Sequence, residues 1–169
     1  MHASPEDLFA RLAALGIGHE TVSHVAVFTV EESKRLRGEL PGAHVKNLFL
    51  KDKKSRLFLV SAVEDTRIDL KALHGLIGAS GRVSFGSADA LREVLGVEPG
   101  SVTPLAAVND TAGRVTVVLD ARLMDHDRIN VHPLVNTKTT GLARGDLLRF
   151  LRETGHDPVV VPLHTADPE

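Results

Sequence analysis

Residues 45–62 read Val45-Lys46-Asn47-Leu48-Phe49-Leu50-Lys51-Asp52-Lys53-Lys54-Ser55-Arg56-Leu57-Phe58-Leu59-Val60-Ser61-Ala62. Two apolar runs flank the charged turn Lys53-Lys54-Ser55, the pattern of a β-hairpin with one well-buried face. On the N-terminal side, Ser4-Pro5-Glu6-Asp7 supplies an N-cap, a proline at the first helical position and early acids. Leu8, Phe9, Leu12 and Leu15 then recur at helical spacing until Gly16 closes the helix. Residues 19–24 are β-like, Thr29-Val30-Glu31-Glu32 resembles a capping box opening a short helix over 31–37, and Leu40-Pro41-Gly42-Ala43 makes a turn. On the C-terminal side, 69–75 and 87–95 read as short helices, and 82–85 as a short strand between them. Residues 105–109, 115–121 and 128–132 are strand candidates, with Asp110-Thr111-Ala112-Gly113 turning between the first two. A last helix runs from 143 or 144 to 154 with Leu147, Leu148 and Leu151 facing inward, and Val159-Val160-Val161 reads as a final strand. Strands and helices interleave irregularly, without repeat or linker. This predicts an α/β fold, a mixed and largely antiparallel sheet with packed helices, in which residues 1–169 form a single domain.

Composition narrows the function. A chain of 169 residues buries roughly 70% of the surface its unfolded form exposes, so no metal or disulfide is needed to hold it together. Twenty Lys and Arg against 22 Asp and Glu leave a formal charge of −2. That balance argues against a broad electrostatic grip on duplex DNA, though not against a local basic pocket for a nucleic-acid end. With no cysteine, a thiol nucleophile, a Cys-ligated zinc and an iron–sulfur cluster are all excluded. Trp and Tyr are absent and only six Phe occur, which disfavours an aromatic base-stacking platform. The acidic, amphipathic N-terminus does not read as a signal peptide, and no window approaches ~18 uninterrupted apolar residues. A cytoplasmic protein without membrane contact is expected.

The motifs that carry common chemistries are missing. No G-x-G-x-x-G or G-x-x-x-x-G-K-[ST] cradles a phosphate, and no G-x-S-x-G elbow presents a serine. Asp125-His126-Asp127 with His132 matches no metal-ligand spacing and reads as a solvated turn, so neither metal nor cofactor is expected. Glu64-Asp65 follows a strand, where adjacent acids are usually solvated or capping. Lys46 is more informative. Period-two alternation places it with Leu48 and Leu50 on one face of an apolar strand, where its ammonium needs a partner. On spacing alone, a snorkelling surface lysine is the plainer reading. The long Gly/Pro loop 96–104 exposes backbone N–H groups and admits close approach of a ligand, although either half taken alone is a plain connector.

Taken in order, Val27-Phe28-Thr29-Val30-Glu31-Glu32, Gly42-Ala43-His44-Val45-Lys46-Asn47-Leu48-Phe49-Leu50, the loop 96–104 with its G-x-x-x-P element at Gly100 and Pro104, and His132-Pro133 with Asn136-Thr137 resemble the YbaK/prolyl-tRNA synthetase-associated editing domain family. The resemblance covers about residues 5–163 and points to its free-standing alanyl-tRNA(Pro) deacylase branch. It implies hydrolysis of the ester joining a wrong amino acid to the 3′-terminal adenosine of tRNA(Pro), with Lys46 and Asn47 as catalytic residues. Phe28, Thr29, Gly100, Ser101, Val102, Pro104 and His132 are the implied substrate-binding residues. The implied partners are the mischarged tRNA(Pro) acceptor end and prolyl-tRNA synthetase. An aminoacyl ester is already activated, so positioning, a placed water and oxyanion stabilisation suffice without a covalent nucleophile. On this account the N–H groups of Gly100, Ser101 and Val102 face the amino acid or the oxyanion, and Phe28 or Phe49 walls the pocket against proline. The basic turn residues Lys51, Lys53, Lys54 and Arg56 either meet phosphates or simply solvate an edge. Two alternatives stay open: deacylation of another mischarged species such as Cys-tRNA(Pro), and a non-catalytic aminoacyl-tRNA-sensing module.

Overall fold

The computed structural model describes residues 2–25 and 41–163. Its strands are β1 (His19–Ser23), β2 (Ala43–Lys51), β3 (Leu57–Val63), β4 (Ser84–Phe85), β5 (Val115–Asp120), β6 (Arg128–Val131), β7 (Lys138–Ala143) and β8 (Val159–Val161). The helices are α1 (Pro5–Ala14), α2 (Leu73–Ile77), α3 (Ala88–Leu95) and α4 (Arg144–Glu153), with 3-10 turns at Pro104–Asn109 and Ala121–Asp125. The strands form one sheet in the order β1-β7-β6-β2-β3-β5-β8, with β4 also paired to β2. Four of its seven pairings among the described residues are antiparallel, and β2–β6, β3–β5 and β5–β8 are parallel. The sheet is therefore mixed and mostly antiparallel, as the patterning requires.

The hairpin of residues 45–62 supplies the centre. In its register Lys46 lies opposite Ala62 and Asn47 opposite Ser61. β3 is buried along six of its seven positions, and its alternate side chains enter different cores. Leu57 and Leu59 join a large cluster with Leu8, Leu12, Leu91, Leu105, Leu147 and Phe150, whereas Phe58 and Val60 join a smaller one with Leu73, Ile77 and Leu163. Because successive strand side chains leave opposite faces, the sheet is covered on both sides, by α1, α3, α4 and the first 3-10 turn on one and by α2 and the C-terminal segment on the other.

Local signals explain most boundaries. Ser4 caps α1 through a reciprocal box with Asp7, and the Ser87 hydroxyl accepts from the Ala90 N–H to start α3. Two expectations need correction, and one strand went unforeseen. Residues 105–109 form a 3-10 turn rather than a strand: Pro104 starts it, Thr103 caps it, and Leu105, Ala106 and Ala107 are all buried. A short apolar run buried all round carries no period to separate turn from strand. The helix expected over 69–75 is Leu73–Ile77, because the Asp69 side chain and carbonyl turn the chain back onto Lys71 and Ala72 first. Finally, β7 was not foreseen, although it lies between β1 and β6. A Cβ at its Gly141 would fall 2.6 Å from the Arg128 guanidinium and 2.7 Å from the Asn130 side-chain oxygen, so a larger residue there would have to push these side-chain ends aside. The helix expected over 31–37 lies outside the described residues.

Candidate active site

Gly42 brings the chain into β2 with φ +99°, and a Cβ there would sit 2.5 Å from the Arg128 carbonyl oxygen, so only glycine lets this turn close on β6. Asn130 secures the same turn by donating to the carbonyls of Pro41 (2.8 Å) and Ala43 (3.2 Å). β2 is thus fixed at its start before it presents Lys46 and Asn47.

Lys46 is half-buried, and its Nζ donates to the backbone carbonyl of Thr66, in the segment after β3. Burial holds its pKa below the ordinary lysine value, and the nearby carboxylate of Asp65 only partly offsets this. The ammonium is therefore a partly desolvated cation rather than a snorkelling one. An ammonium carries three donors, and the Thr66 carbonyl occupies one.

Asn47, one residue on, leaves the other face of the strand. Its Nδ2 donates to the Val102 carbonyl at 3.0 Å, and its Oδ1 accepts from the Ser61 hydroxyl at 2.5 Å. The direct link between β2 and the Gly/Pro loop therefore runs through Asn47 and not through Lys46. Ser61 was missed in the sequence, although it is the one hydroxyl in the apolar strand Leu57–Val63 and lies opposite Asn47 in the hairpin register.

The loop itself is well anchored. Gly100 is exposed with φ +93°, Ser101 and Pro104 are buried, and Val102 is half-buried. The Ser101 N–H donates to the Glu98 carbonyl at 2.9 Å, which closes the turn. The expectation that three consecutive amides face a ligand is corrected at Ser101, and the amides of Gly100 and Val102 are those that remain. Thr103 is fully buried and caps the following 3-10 turn.

His132 lies just past β6. A carbonyl can only accept, so its Nδ1–H donates to Lys138 (2.9 Å) and Nε2 is left as the acceptor of the neutral ring. Burial holds its pKa down and a neighbouring His24 adds to the effect, against the opposing bond to Lys138. The His24 ring lies 6.3 Å away and is itself held by Thr139 at 2.7 Å. Phe49 is not a pocket wall: it is buried in the large core cluster, under Gly86, where a Cβ would come 2.4 Å from its ring. Phe28 and Thr29 lie outside the described residues. At the hairpin tip Lys51, Lys53 and Lys54 are exposed, whereas Arg56 is drawn back onto Asp52 (2.9 Å) and the Gly78 carbonyl (3.0 Å). Among the described residues no three His, Asp or Glu side chains converge as a metal site, and no helix is long and apolar enough to cross a membrane.

Residues 24–150 match the family described as the aminoacyl-tRNA editing domain. The prolyl-tRNA synthetase associated domain-containing protein 1 of Bos taurus is 44% identical over 155 residues, covering 89% of this chain and 90% of that protein. The prolyl-tRNA editing protein ProX of Acetoanaerobium sticklandii is 37% identical over 150 residues, covering 88% and 91%. Among solved structures, one assigned provisionally as a trans-editing enzyme for prolyl-tRNA synthetase has the same fold, with a TM-score of 0.71, 20% identity and coverage of 96% of this chain and 98% of that one.

Proposed function

The chain belongs to the aminoacyl-tRNA editing domain family, and on that premise we propose that it hydrolyses the ester of mischarged tRNA(Pro), with alanine as the amino acid removed. One observation carries this reading: a half-buried lysine ammonium, held by a backbone carbonyl, sits next in sequence to the asparagine that binds the Gly/Pro loop. Lys46 directs its free N–H donors at the ester carbonyl or the adjoining ribose and phosphate, where positive charge stabilises the developing oxyanion. Asn47 acts by holding Val102, and with it the loop that shapes the amino-acid end of the pocket. The amides of Gly100 and Val102, with Pro104 behind them, line that end. Neutral His132 offers Nε2 as an acceptor to the substrate. The exposed Lys51, Lys53 and Lys54 meet acceptor-end phosphates, and prolyl-tRNA synthetase, which generates the mischarged species, is the protein partner.

No covalent nucleophile is required: a water attacks the ester carbonyl, the tetrahedral oxyanion collapses, and the 3′-terminal ribose hydroxyl leaves with a proton. Rejection of proline rests on steric exclusion, since missing attraction for one methylene is worth only about 1–3 kcal/mol.

The test is a deacylation panel of Ala-, Cys-, Ser- and Pro-tRNA(Pro). Ala-tRNA(Pro) should be hydrolysed fastest and Pro-tRNA(Pro) spared, and Lys46→Ala should lower kcat by about 100-fold or more while the protein stays folded. Faster release from Cys-tRNA(Pro) would overturn the alanine assignment. Binding without release would mark a sensing module, and wild-type rates in Lys46→Ala would remove Lys46 from the chemistry.

A further inference from the structure

We propose that Thr66 and Asp120 form a positioning pair that sets the direction of the Lys46 ammonium. The inference rests on the reading of Lys46 as the reactive cation. Thr66 gives its carbonyl to Lys46 Nζ, and its hydroxyl donates to Asp120 Oδ2 at 3.3 Å. Its own N–H is turned back to the Val63 carbonyl at 2.9 Å, so the segment after β3 is held at three points. Asp120, at the end of β5, is fully buried, and its other oxygen accepts from the backbone N–H of Leu163 (3.0 Å) and Arg122 (3.5 Å). The chain of contacts thus runs from the buried end of β5 to the ammonium. A lysine stem has four rotatable bonds, so its charge stays in one place only if its partner cannot move. Here that partner is a carbonyl fixed through a buried hydroxyl–carboxylate bond. The carboxylate acting directly on Lys46 is that of Asp65, next to Thr66 in the segment after β3, and Asp120 reaches the ammonium through Thr66.

Thr66→Val keeps the shape and the carbonyl but removes the hydroxyl bond, Thr66→Ser keeps the hydroxyl, and Asp120→Asn removes the carboxylate charge. Two readouts apply: deacylation kinetics on Ala-tRNA(Pro), and titration of the Lys46 side chain by NMR in the free protein. In Thr66→Val we expect kcat to fall about tenfold with KM within about twofold, as for a misdirected rather than missing group. Its Lys46 titration should move further below the wild-type midpoint, because the ammonium loses a fixed acceptor. Asp120→Asn should move the titration the same way, and Thr66→Ser should restore both readouts. If folded Thr66→Val leaves the titration and kcat unchanged, the pair is structural only and the proposal is overturned. Should Thr66→Val fail to fold, an unchanged titration in Asp120→Asn overturns it instead. A wild-type protein that hydrolyses no aminoacyl ester defeats the functional reading alone, and the Lys46 titration still decides whether Thr66 and Asp120 govern that ammonium.

Discussion

Lys46 combines burial with charge, and the role proposed for it follows from that conflict. Desolvation disfavours its ammonium and lowers its pKa from the ordinary 10.5, with Asp65 opposing. As the pH rises, this lysine therefore loses its charge before an ordinary one does. After subtraction of spontaneous alkaline hydrolysis, kcat should decline on an alkaline limb whose midpoint lies below 10.5. In Lys46→Arg, whose guanidinium stays protonated throughout, that limb should vanish from the slower residual activity. A limb that persists in the arginine variant would belong to another group. At this scale the sequence was partly readable. Lys46 and Asn47 stand out as polar residues inside an apolar strand, and so in retrospect does Ser61. Nothing local marks Thr66 or Asp120, because their significance lies in atoms contributed by residues 20 and 54 positions away.

The hairpin turn shows the same logic one level up. Asp52 closes the turn after β2, where burial alone would raise its pKa. The N–H groups of Ser80, Arg56 and Lys54 and the Arg56 guanidinium overcome this and bring it to about 2. A folded-state value below the unfolded one means that the contribution of Asp52 to stability is complete above the ordinary 3.8. It is then lost as the pH falls toward about 2. Denaturant midpoints measured across that interval should fall more steeply for the wild type than for Asp52→Asn, which should already be weaker at neutral pH. Equal slopes would show that the turn does not depend on the charge. The hairpin itself was legible because both strands carry clear apolar runs around a charged turn. β7 was not, since Lys138-Thr139-Thr140-Gly141 has weak alternation and a glycine packed against the side chains of Arg128 and Asn130. The 105–109 turn misled for the opposite reason, being apolar at nearly every position.

Across the whole molecule, one buried pair joins the last helix to the central sheet. His156, just beyond α4, meets Asp110 at 2.8 Å, and Asp110 also accepts from the N–H groups of Arg114 (2.9 Å) and Val115 (2.8 Å) at the entry to β5. Both side chains are almost fully buried, so removing the histidine takes away one of three donors to Asp110 and leaves a gap where its ring was packed. His156→Ala should cost about 2 kcal/mol in urea unfolding, far more than a surface histidine, and should leave the pH dependence of deacylation in place. A loss under about 0.5 kcal/mol would show that water or a rearrangement replaces the bond. The fold class, the central hairpin, the capped helices and the unusual placing of Lys46 and Asn47 in an apolar strand could be read from the chain, because capping, alternation and turn chemistry act between near neighbours. The partners of those two residues could not. Lys46 meets Thr66 and Asn47 meets Val102 only once β2, β3 and β5 have taken their places in the sheet, and strand order is set by how the two cores pack rather than by any local pattern.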